Sequence, residues 1–215
     1  DDSFGLYQTG IADYFIGTAN CVGLQADGGI IAAGSDVISL SSFTADFLIA
    51  RYNVDGVSDA SLNTNGTVTM NMGYIRNVIN SVAIQSDGKI IVVGEGTDDG
   101  NTYVSIISRF TTTGMLDTSF ASTGTVTFTV GTTSYATVVK IQPADGQIMV
   151  GGNFQDGSGP QSFYLARFGP DGTPDTLFSG GKVTASPGTD AILADIAILP
   201  DGKILVAGTT NSGTI

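Results

Sequence analysis

One 58-residue period runs through the whole sequence. It is marked by an aspartate and an arginine that recur in step, at Asp1, Asp59, Asp117 and Asp175 and at Arg51, Arg109 and Arg167. Composition cannot keep residues in register over such a distance, so the period indicates one supersecondary unit that has been copied. The fold must therefore be assembled from similar units of this length.

The register divides the chain into four units. They comprise residues 1–58, 59–116, 117–174 and an incomplete 175–215. We predict that these units form one continuous domain. Its 215 residues correspond to about 3.7 units of this period. The last unit ends where a strand should follow, so we expect a longer array in the native chain or completion of this unit by a strand from a neighbouring chain.

Each unit contains a dipeptide Asp-Gly between two apolar runs, which predicts a β-hairpin because glycine supplies the positive φ that the turn requires. The four hairpins are predicted at residues 22–34, 82–94, 139–152 and 196–208. Ala144 is an additional residue in the third turn and should lengthen that turn without shifting the strands. The second strand of each hairpin is apolar at successive positions, which indicates burial on both faces. Close backbone contacts or bulges are expected at the glycines that end these runs, Gly34, Gly94, Gly151 and Gly208.

Two further strands complete each unit. One contains the repeated arginine, within residues 47–62, 104–120 and 163–178, and a short one follows at residues 66–70, 124–130 and 181–185, with residues 10–16 as a divergent first copy. Four short antiparallel strands, buried on two sides and repeated at this length, are typical of a β-propeller blade. We therefore predict an all-β β-propeller with about 3.7 blades, the ratio of chain length to period.

Three motifs resemble the bacterial delta-sixty repeat, a β-propeller repeat of unknown function. They are LDTSF at residues 116–120, LPDGKILVAG at 199–208 and ARYNVDG at 50–56, and the resemblance covers essentially the whole chain. It implies a large bacterial protein that is secreted or attached to the cell surface. It supplies no catalytic residues.

Composition limits the partners and the chemistry. Twenty acidic and eight basic residues give a net charge of −12, which would repel nucleic acids and anionic membranes. No apolar run approaches the roughly 20 residues of a membrane-spanning helix. The absence of histidine removes the usual general base, and the single cysteine, Cys21, excludes an internal disulfide and is expected as a small core residue.

Calcium is the inorganic ligand that the sequence best supports, with no other cofactor expected. Asn53, Asp55 and Asp59 place oxygen ligands at alternating positions. Asp171 and Asp175 do the same in the corresponding turn, PDGTPD, at residues 170–175. The middle copy, TTTGMLD at residues 111–117, loses most of these oxygens. The alternative is that these residues shape a β-turn.

An enzyme of this composition would rely on carboxylates. A glycosidase needs two of them across a cleft, and the acids that do not follow the repeat are Asp46, Glu95, Asp98, Asp99, Asp190 and Asp195. Asp195 lies inside a strand pattern and could face a central channel. No partner is evident for it, so we expect no enzymatic activity.

The repeated Arg51, Arg109 and Arg167 are expected to form structural ion pairs with Asp59, Asp117 and Asp175. Aromatic residues near loops could stack on sugars, although core or rim packing is the alternative; they are Tyr103, Tyr135, Tyr164 and Phe154.

Taken together, the sequence predicts a non-enzymatic extracellular scaffold that recognises a protein or glycan. A propeller hydrolase and a subunit of a surface stalk or filament are the alternatives.

Overall fold

The computed structural model describes residues 17–39, 43–211 and 213–214; Asp1 and the strand predicted at residues 10–16 lie outside them. The described residues are all-β, as predicted. Their strands are β1 (Thr18–Leu24), β2 (Ile30–Ser39), β3 (Thr44–Tyr52), β4 (Thr67–Met70), β5 (Arg76–Ile84), β6 (Ile90–Thr97), β7 (Val104–Phe110), β8 (Thr125–Phe128), β9 (Thr133–Ile141), β10 (Ile148–Gln155), β11 (Ser162–Phe168), β12 (Lys182–Ala185), β13 (Ile192–Ile198), β14 (Ile204–Thr210) and β15 (Gly213–Thr214). A 3-10 turn, Ser179–Gly181, precedes β12.

The strands form consecutive antiparallel meanders. Meander 1 contains β1–β4, meander 2 contains β5–β8, meander 3 contains β9–β12, and meander 4 contains β13–β15. One parallel residue pair, Ala45 with Arg76, joins meanders 1 and 2 in a common sheet. The repeated aspartates fall inside the meanders, between the third and fourth strands.

The four predicted hairpins are present and connect the first two strands of every meander. Their turns place glycine at positive φ, for example 83° at Gly88. In that turn the Gly88 amide donates to the Gln85 carbonyl, three residues back, whereas the Gly146 amide donates to Gln142, four residues back. Ala144 therefore lengthens the third turn as predicted.

The hydrophobic core lies between successive meanders. In β6, Ile90 and Val92 pack with meander 1, whereas Ile91 and Val93 pack with meander 3, and all four are fully buried. This alternation explains the continuous apolar run, because each face of the strand meets a different neighbour. Burial of one such side chain stabilises the fold by about 1.5–3 kcal/mol.

Two-sided burial does not extend to meander 4. Leu205 occupies the position of Ile91 and Met149, which are fully buried, yet it is 55% exposed. The prediction of a doubly buried strand is therefore wrong for β14, since no described residues cover that side of the sheet. The other side packs on meander 3 through Leu193 and Ile196.

A β-bulge interrupts the first strand of every meander. The bulged residues are Asn20, Asn80, Thr137 and Ala194. A glycine lies opposite each bulge because a Cβ there would overlap a carbonyl oxygen of the first strand, that of Thr18 for Gly34, of Val78 for Gly94, of Tyr135 for Gly152 and of Ile192 for Gly208. In meander 3 this glycine is Gly152 and not the predicted Gly151.

The meanders have two ends that differ in what they expose. The turn face carries the Asp-Gly turns and the connections from the third to the fourth strands. The loop face carries the connections from the second to the third strands and from one meander to the next. No helix among the described residues is long and apolar enough to cross a membrane.

Candidate functional site

The repeated arginines lie in the third strands, at the turn face, each beside the aspartate that follows the turn. The Nε atoms of Arg51, Arg109 and Arg167 lie 3.2, 2.8 and 2.7 Å from carboxylate oxygens of Asp59, Asp117 and Asp175. The arginine and the aspartate are held at the same separation in meanders 1, 2 and 3, because the aspartate amide donates to the arginine carbonyl in all three. These pairs close the connection between the third and fourth strands.

Arg109 has the most complete set of contacts. Its terminal nitrogens donate to the Pro170 carbonyl, at 2.7 Å, and to Ser119 Oγ, at 2.8 Å, while its guanidinium carbon lies 4.9 Å from the centre of the Phe120 ring. Asp117 also accepts from Ser119 Oγ and pairs with Lys89 at 3.1 Å. The hydrogen bond from Ser119, together with Lys89 and Arg109, holds the pKa of the Asp117 carboxyl well below its usual range.

The predicted calcium residues are engaged in turn contacts. Asn53 Oδ1 accepts from the amides of Asp55 and Val57, and Asp171 Oδ1 accepts from the amide and hydroxyl of Thr173. Asp59 and Asp175 accept from the amides of Ser61 and Leu177 in addition to their arginine contacts. Within the described residues no group of three or more acidic or cysteine side chains could hold a metal ion.

A groove opens at the loop face between meanders 1 and 2. It consists of two adjoining cavities of about 250 and 240 Å³, both lined by Phe43 and Arg76. Phe43 is 78% exposed, and Ile75, at 50%, lies in the second cavity with the loop that begins at Asp98. We call the surface formed by Phe43, Ile75, Arg76 and Asp98 the loop-face groove.

The acids outside the repeat mostly collect around this groove. Asp46 accepts from Asn71 Nδ2 at 2.6 Å, Glu95 pairs with Arg76 at 3.0 Å, and Asp98 Oδ1 accepts from the Ile75 amide at 2.9 Å. Amides of Thr102 and Asn101 donate to Asp99 and lower the pKa of its carboxyl to about 2. These contacts fix the loop that begins at Asp98.

Two predicted acids lie elsewhere. Asp190 accepts from the Gln161 amide at 3.3 Å and from Asn211 Nδ2 at 2.7 Å, which connects meanders 3 and 4 at the loop face. Asp195 directly follows the bulge in β13, is exposed, and pairs with Lys140 Nζ at 3.0 Å. No second carboxylate contacts Asp195 among the described residues.

The predicted aromatic residues separate into two environments. Tyr164 is fully buried, and its hydroxyl lies 2.7 Å from Ser105 Oγ, so it is a core residue and cannot stack on a sugar; burial also raises its pKa. Phe154 packs against the core between meanders 2 and 3. Tyr103 and Tyr135 are partly exposed and make an edge-to-face contact at the loop face, with ring centres 6.3 Å apart.

Cys21 is a core residue at the edge of the interface between meanders 1 and 2, as the sequence predicts. It is partly buried and lies 3.5 Å from the Ala33 carbonyl. Burial raises the pKa of its thiol to about 12, so the thiolate is scarce at neutral pH.

Sequence reasoning did not find the bulge asparagines. Asn20 Nδ2 donates to the Ile79 carbonyl, and Asn80 Nδ2 donates to the Ala136 carbonyl, both at 2.9 Å. Each acceptor is the residue immediately before the bulge of the next meander. The signal was present as an asparagine before the apolar end of each of these two first strands, at positions 60 residues apart, which differs from the main period.

Comparison with protein families agrees with this architecture. Residues 85–120, 144–178 and 199–214 match the model of a domain of unknown function (DUF5122) that is a β-propeller. The first two stretches extend from the Asp-Gly turn through the third strand to the repeated aspartate, in meanders 2 and 3. The chain is thus an all-β protein built from β-propeller repeats. No curated protein matches it.

Proposed function

We propose that this chain is a non-enzymatic recognition scaffold of a delta-sixty-type propeller, exposed outside the cell, whose loop-face groove binds a protein or glycan at a surface. The observation that carries this proposal is the contrast between the two faces. The repeated Arg109 and Asp117 at the turn face are held in structural contacts, whereas the groove at the loop face is lined by residues that do not repeat and includes the exposed side chains of Phe43 and Ile75. Loops on a rigid β framework are a common place for recognition.

The groove combines features that suit a weakly polar partner. Phe43 and Ile75 offer exposed apolar surface, and Arg76 and Asp98 stand beside them with opposite charges. Aromatic and apolar side chains next to hydrogen-bonding groups are typical of anchor positions in protein and sugar recognition. The net charge of −12 makes an anionic partner a poor fit.

The alternative of a carboxylate-dependent hydrolase has less support. A glycosidase requires a general acid whose pKa is raised. The carboxyl pKa values that depart from the ordinary range, those of Asp59, Asp99, Asp117, Asp171 and Asp201, are all lowered by hydrogen bonds. This trend favours binding over acid catalysis.

Binding can be tested on glycan and protein arrays, followed by titration of the best partner against two matched variants. Phe43→Ala removes the exposed ring of the groove, and affinity should fall about tenfold or more, as for a binding hot spot. Met115→Ala removes an apolar side chain of similar exposure, 70%, at the turn face and should leave affinity unchanged. Equal effects of the two variants would place binding elsewhere.

A hydrolase screen separates the two functions. Turnover of any glycoside or ester that is abolished by Asp98→Asn or Asp195→Asn would replace the scaffold proposal with an enzymatic one.

Calcium binding is tested by thermal melting of the same protein samples with and without a chelator. A higher melting temperature in calcium that Asp171→Asn removes would assign the ion to the turn.

A further inference from the structure

We infer that a cleft at the turn face, between the second and third Asp-Gly turns, binds a lysine-containing peptide segment of a protein partner. The cleft has a volume of about 770 Å³ and is lined by residues 84–87 and 141–146 together with Arg109 and Pro170. We call it the turn-face cleft. It lies at the opposite end of the meanders from the loop-face groove, so the inference goes beyond the proposed function.

The cleft is open because a contact that joins the first two turns is not made here. Gln25 Nε2 donates to the Gly88 carbonyl at 3.4 Å and thus crosses from the first Asp-Gly turn to the second. The equivalent Gln85 donates instead to the Pro170 carbonyl, also at 3.4 Å, in the connection between the third and fourth strands of meander 3. Within the described residues no hydrogen bond joins the second Asp-Gly turn to the third.

The third turn also departs from the repeat in its charge. In the other three turns a basic side chain pairs with the aspartate; the pairs are Asp27 with Arg51 at 2.7 Å, Asp87 with Lys89 at 3.5 Å and Asp201 with Lys203 at 2.6 Å. Gln147 stands where the second and fourth turns have lysine. Asp145 accepts from the Gln147 amide at 3.1 Å and forms no ion pair with the described residues.

This unpaired carboxylate stands beside apolar walls. Ile84 and Ile141 line the cleft, as do Pro143 and Pro170, and the exposed Asp145 lies in the same lining. A lysine side chain has the matching division, since a four-carbon apolar stem carries a charged head. The stem can pack on the isoleucines and prolines while the ammonium pairs with Asp145.

The charge that surrounds the cleft also favours a cation. Arg109 lines the cleft, but its three side-chain nitrogens already contact Asp117, Ser119 Oγ and the Pro170 carbonyl. Asp117 therefore balances the charge of Arg109, whereas the charge of Asp145 is not balanced by a neighbour. The net charge of −12 attracts a basic ligand at longer range.

Gln142 supplies a further acceptor. It lines the cleft, and its side-chain amide makes no hydrogen bond with the described residues; the Oε1 atom is buried without a partner. A buried acceptor without a donor is unfavourable, so a ligand that brings one is stabilised. Rotation of this flexible side chain can present Oε1 to an ammonium or a peptide N–H in the cleft.

A peptide matches the available space better than a small amine. A second cavity, of about 340 Å³, lies between the third and fourth Asp-Gly turns and shares Gln142, Pro143 and Ala144 with the cleft. The additional residue Ala144 thus stands between two adjoining cavities. An extended chain laid over it can occupy both, whereas a free amine would occupy only part of the first.

The test adds a capped heptapeptide to the isotopically labelled whole chain and follows the signals by NMR. The peptide has a central lysine between two leucines, with alanine at the other positions. We expect the amide signals of Gly146 and Gln147 and the side-chain signal of Gln142 to shift, because these groups lie beside Asp145. A peptide with norleucine in place of lysine keeps the stem without the charge and should bind about fivefold more weakly.

Two variants of the chain test the role of the unpaired carboxylate. Asp145→Asn keeps the acceptor for the Gln147 amide but removes the charge, and should weaken binding of the lysine peptide about fivefold. Gln147→Lys gives Asp145 the internal partner that the second and fourth turns have, and should weaken binding to a similar degree. Asp156→Asn removes the same charge from an exposed loop-face position between β10 and β11 and should leave affinity unchanged.

Thermal melting shows whether each variant is folded, and Asp145→Asn decides the test if Gln147→Lys is not. Equal weakening by Asp145→Asn and Asp156→Asn would mean that the peptide only follows the overall negative charge, which overturns the inference. Full affinity of folded Gln147→Lys, or equal affinity of the lysine and norleucine peptides, would overturn it too. Binding of cadaverine, a free diamine, as tightly as the peptide would make a small amine the occupant and reject the peptide.

Discussion

Arg51, Arg109 and Arg167 occupy the same position in three meanders but experience different surroundings. All three pair with the following aspartate, yet only Arg109 also reaches the next meander, through the Pro170 carbonyl. Arg51 instead pairs with the exposed Asp27 of its own hairpin turn. The contribution of each arginine to the free energy of unfolding should increase with the number and the burial of its contacts.

Arg109→Ala is expected to destabilise the chain by about 3 kcal/mol, because Asp117 would lose a largely buried partner and Pro170 its donor. For a chain of this size the melting temperature should fall by roughly 6–12 °C. Lys203→Ala serves as a control, since its ion pair with Asp201 is highly exposed and should contribute little. An unchanged melting temperature of Arg109→Ala would contradict the structural role.

Acid should remove the stabilisation that Asp117 provides. Its folded-state pKa is lowered, as are those of Asp59 and Asp171, so their contributions are complete above the unfolded-state pKa, about 3.9. The contributions are lost as the pH falls below that value and approaches the folded-state pKa values. All three carboxyl groups lose their stabilising contribution as the pH falls, so the melting temperature should drop steeply below about pH 4.

The variant Asp117→Asn isolates this effect. It should melt below the parent chain at pH 7, because Arg109 and Lys89 would lose their common carboxylate. The difference should shrink at pH 3, because the aspartate is largely protonated there in the unfolded parent chain while it stays ionised in the folded one, which removes part of the stabilisation. Thermal melts of both chains at the two pH values provide the comparison, and a constant difference would show that folding does not lower the pKa of Asp117.

At the scale of a single strand pair, the bulge and the glycine opposite it form one structural unit. The bulge turns an additional side chain out of the first strand, and the glycine allows the two backbones to approach. In meanders 1 and 2 the additional residue is an asparagine whose amide reaches the next meander. In meander 3, Thr137 instead approaches the Gly151 carbonyl of its own sheet, at 3.3 Å.

Gly94→Ala tests this arrangement, because the new Cβ on the buried Gly94 of β6 would overlap the Val78 carbonyl oxygen. We expect the free energy of unfolding to fall by about 2 kcal/mol or more, because the new Cβ and the Val78 carbonyl oxygen are both fixed to ordered backbone that cannot shift without strain. Thr127→Ala, at an exposed position in β8, is the matched control. Equal urea midpoints for the two variants would show that the sheet relaxes around the new methyl group.

The sequence predicted the elements better than the contacts between them. Hairpins followed from Asp-Gly between apolar runs, and the double burial of β6 and β10 followed from their unbroken hydrophobicity, because these are local patterns. Bulges were predicted at the glycines that end the apolar runs, and this is confirmed at Gly34, Gly94 and Gly208 but not at Gly151. The inserted residue in the opposing strand was not predicted, because a one-residue insertion is invisible without its partner strand, and for the same reason Gly152 could not be told from Gly151. The loop-face groove was not predicted because its members come from different units and do not repeat.

At the scale of the whole molecule, each meander is stabilised mainly by its neighbours in sequence. Meander 2 packs on meander 1 through one apolar cluster and on meander 3 through another. Meander 4 contacts meander 3 through a smaller cluster, and its bulged residue is Ala194, which has no side-chain donor. Stability in such arrays is approximately a sum of unit and interface terms, so it should decrease from meander 2 to meander 4.

Hydrogen exchange measures this gradient directly. Amides of β6 should be the most protected, because their strand is buried on both faces, and amides of β14 should exchange at least about tenfold faster through local opening. Protection of β14 equal to that of β6 in the free chain would mean that the meanders unfold as one cooperative unit, and the nearest-neighbour description of this molecule would then be wrong.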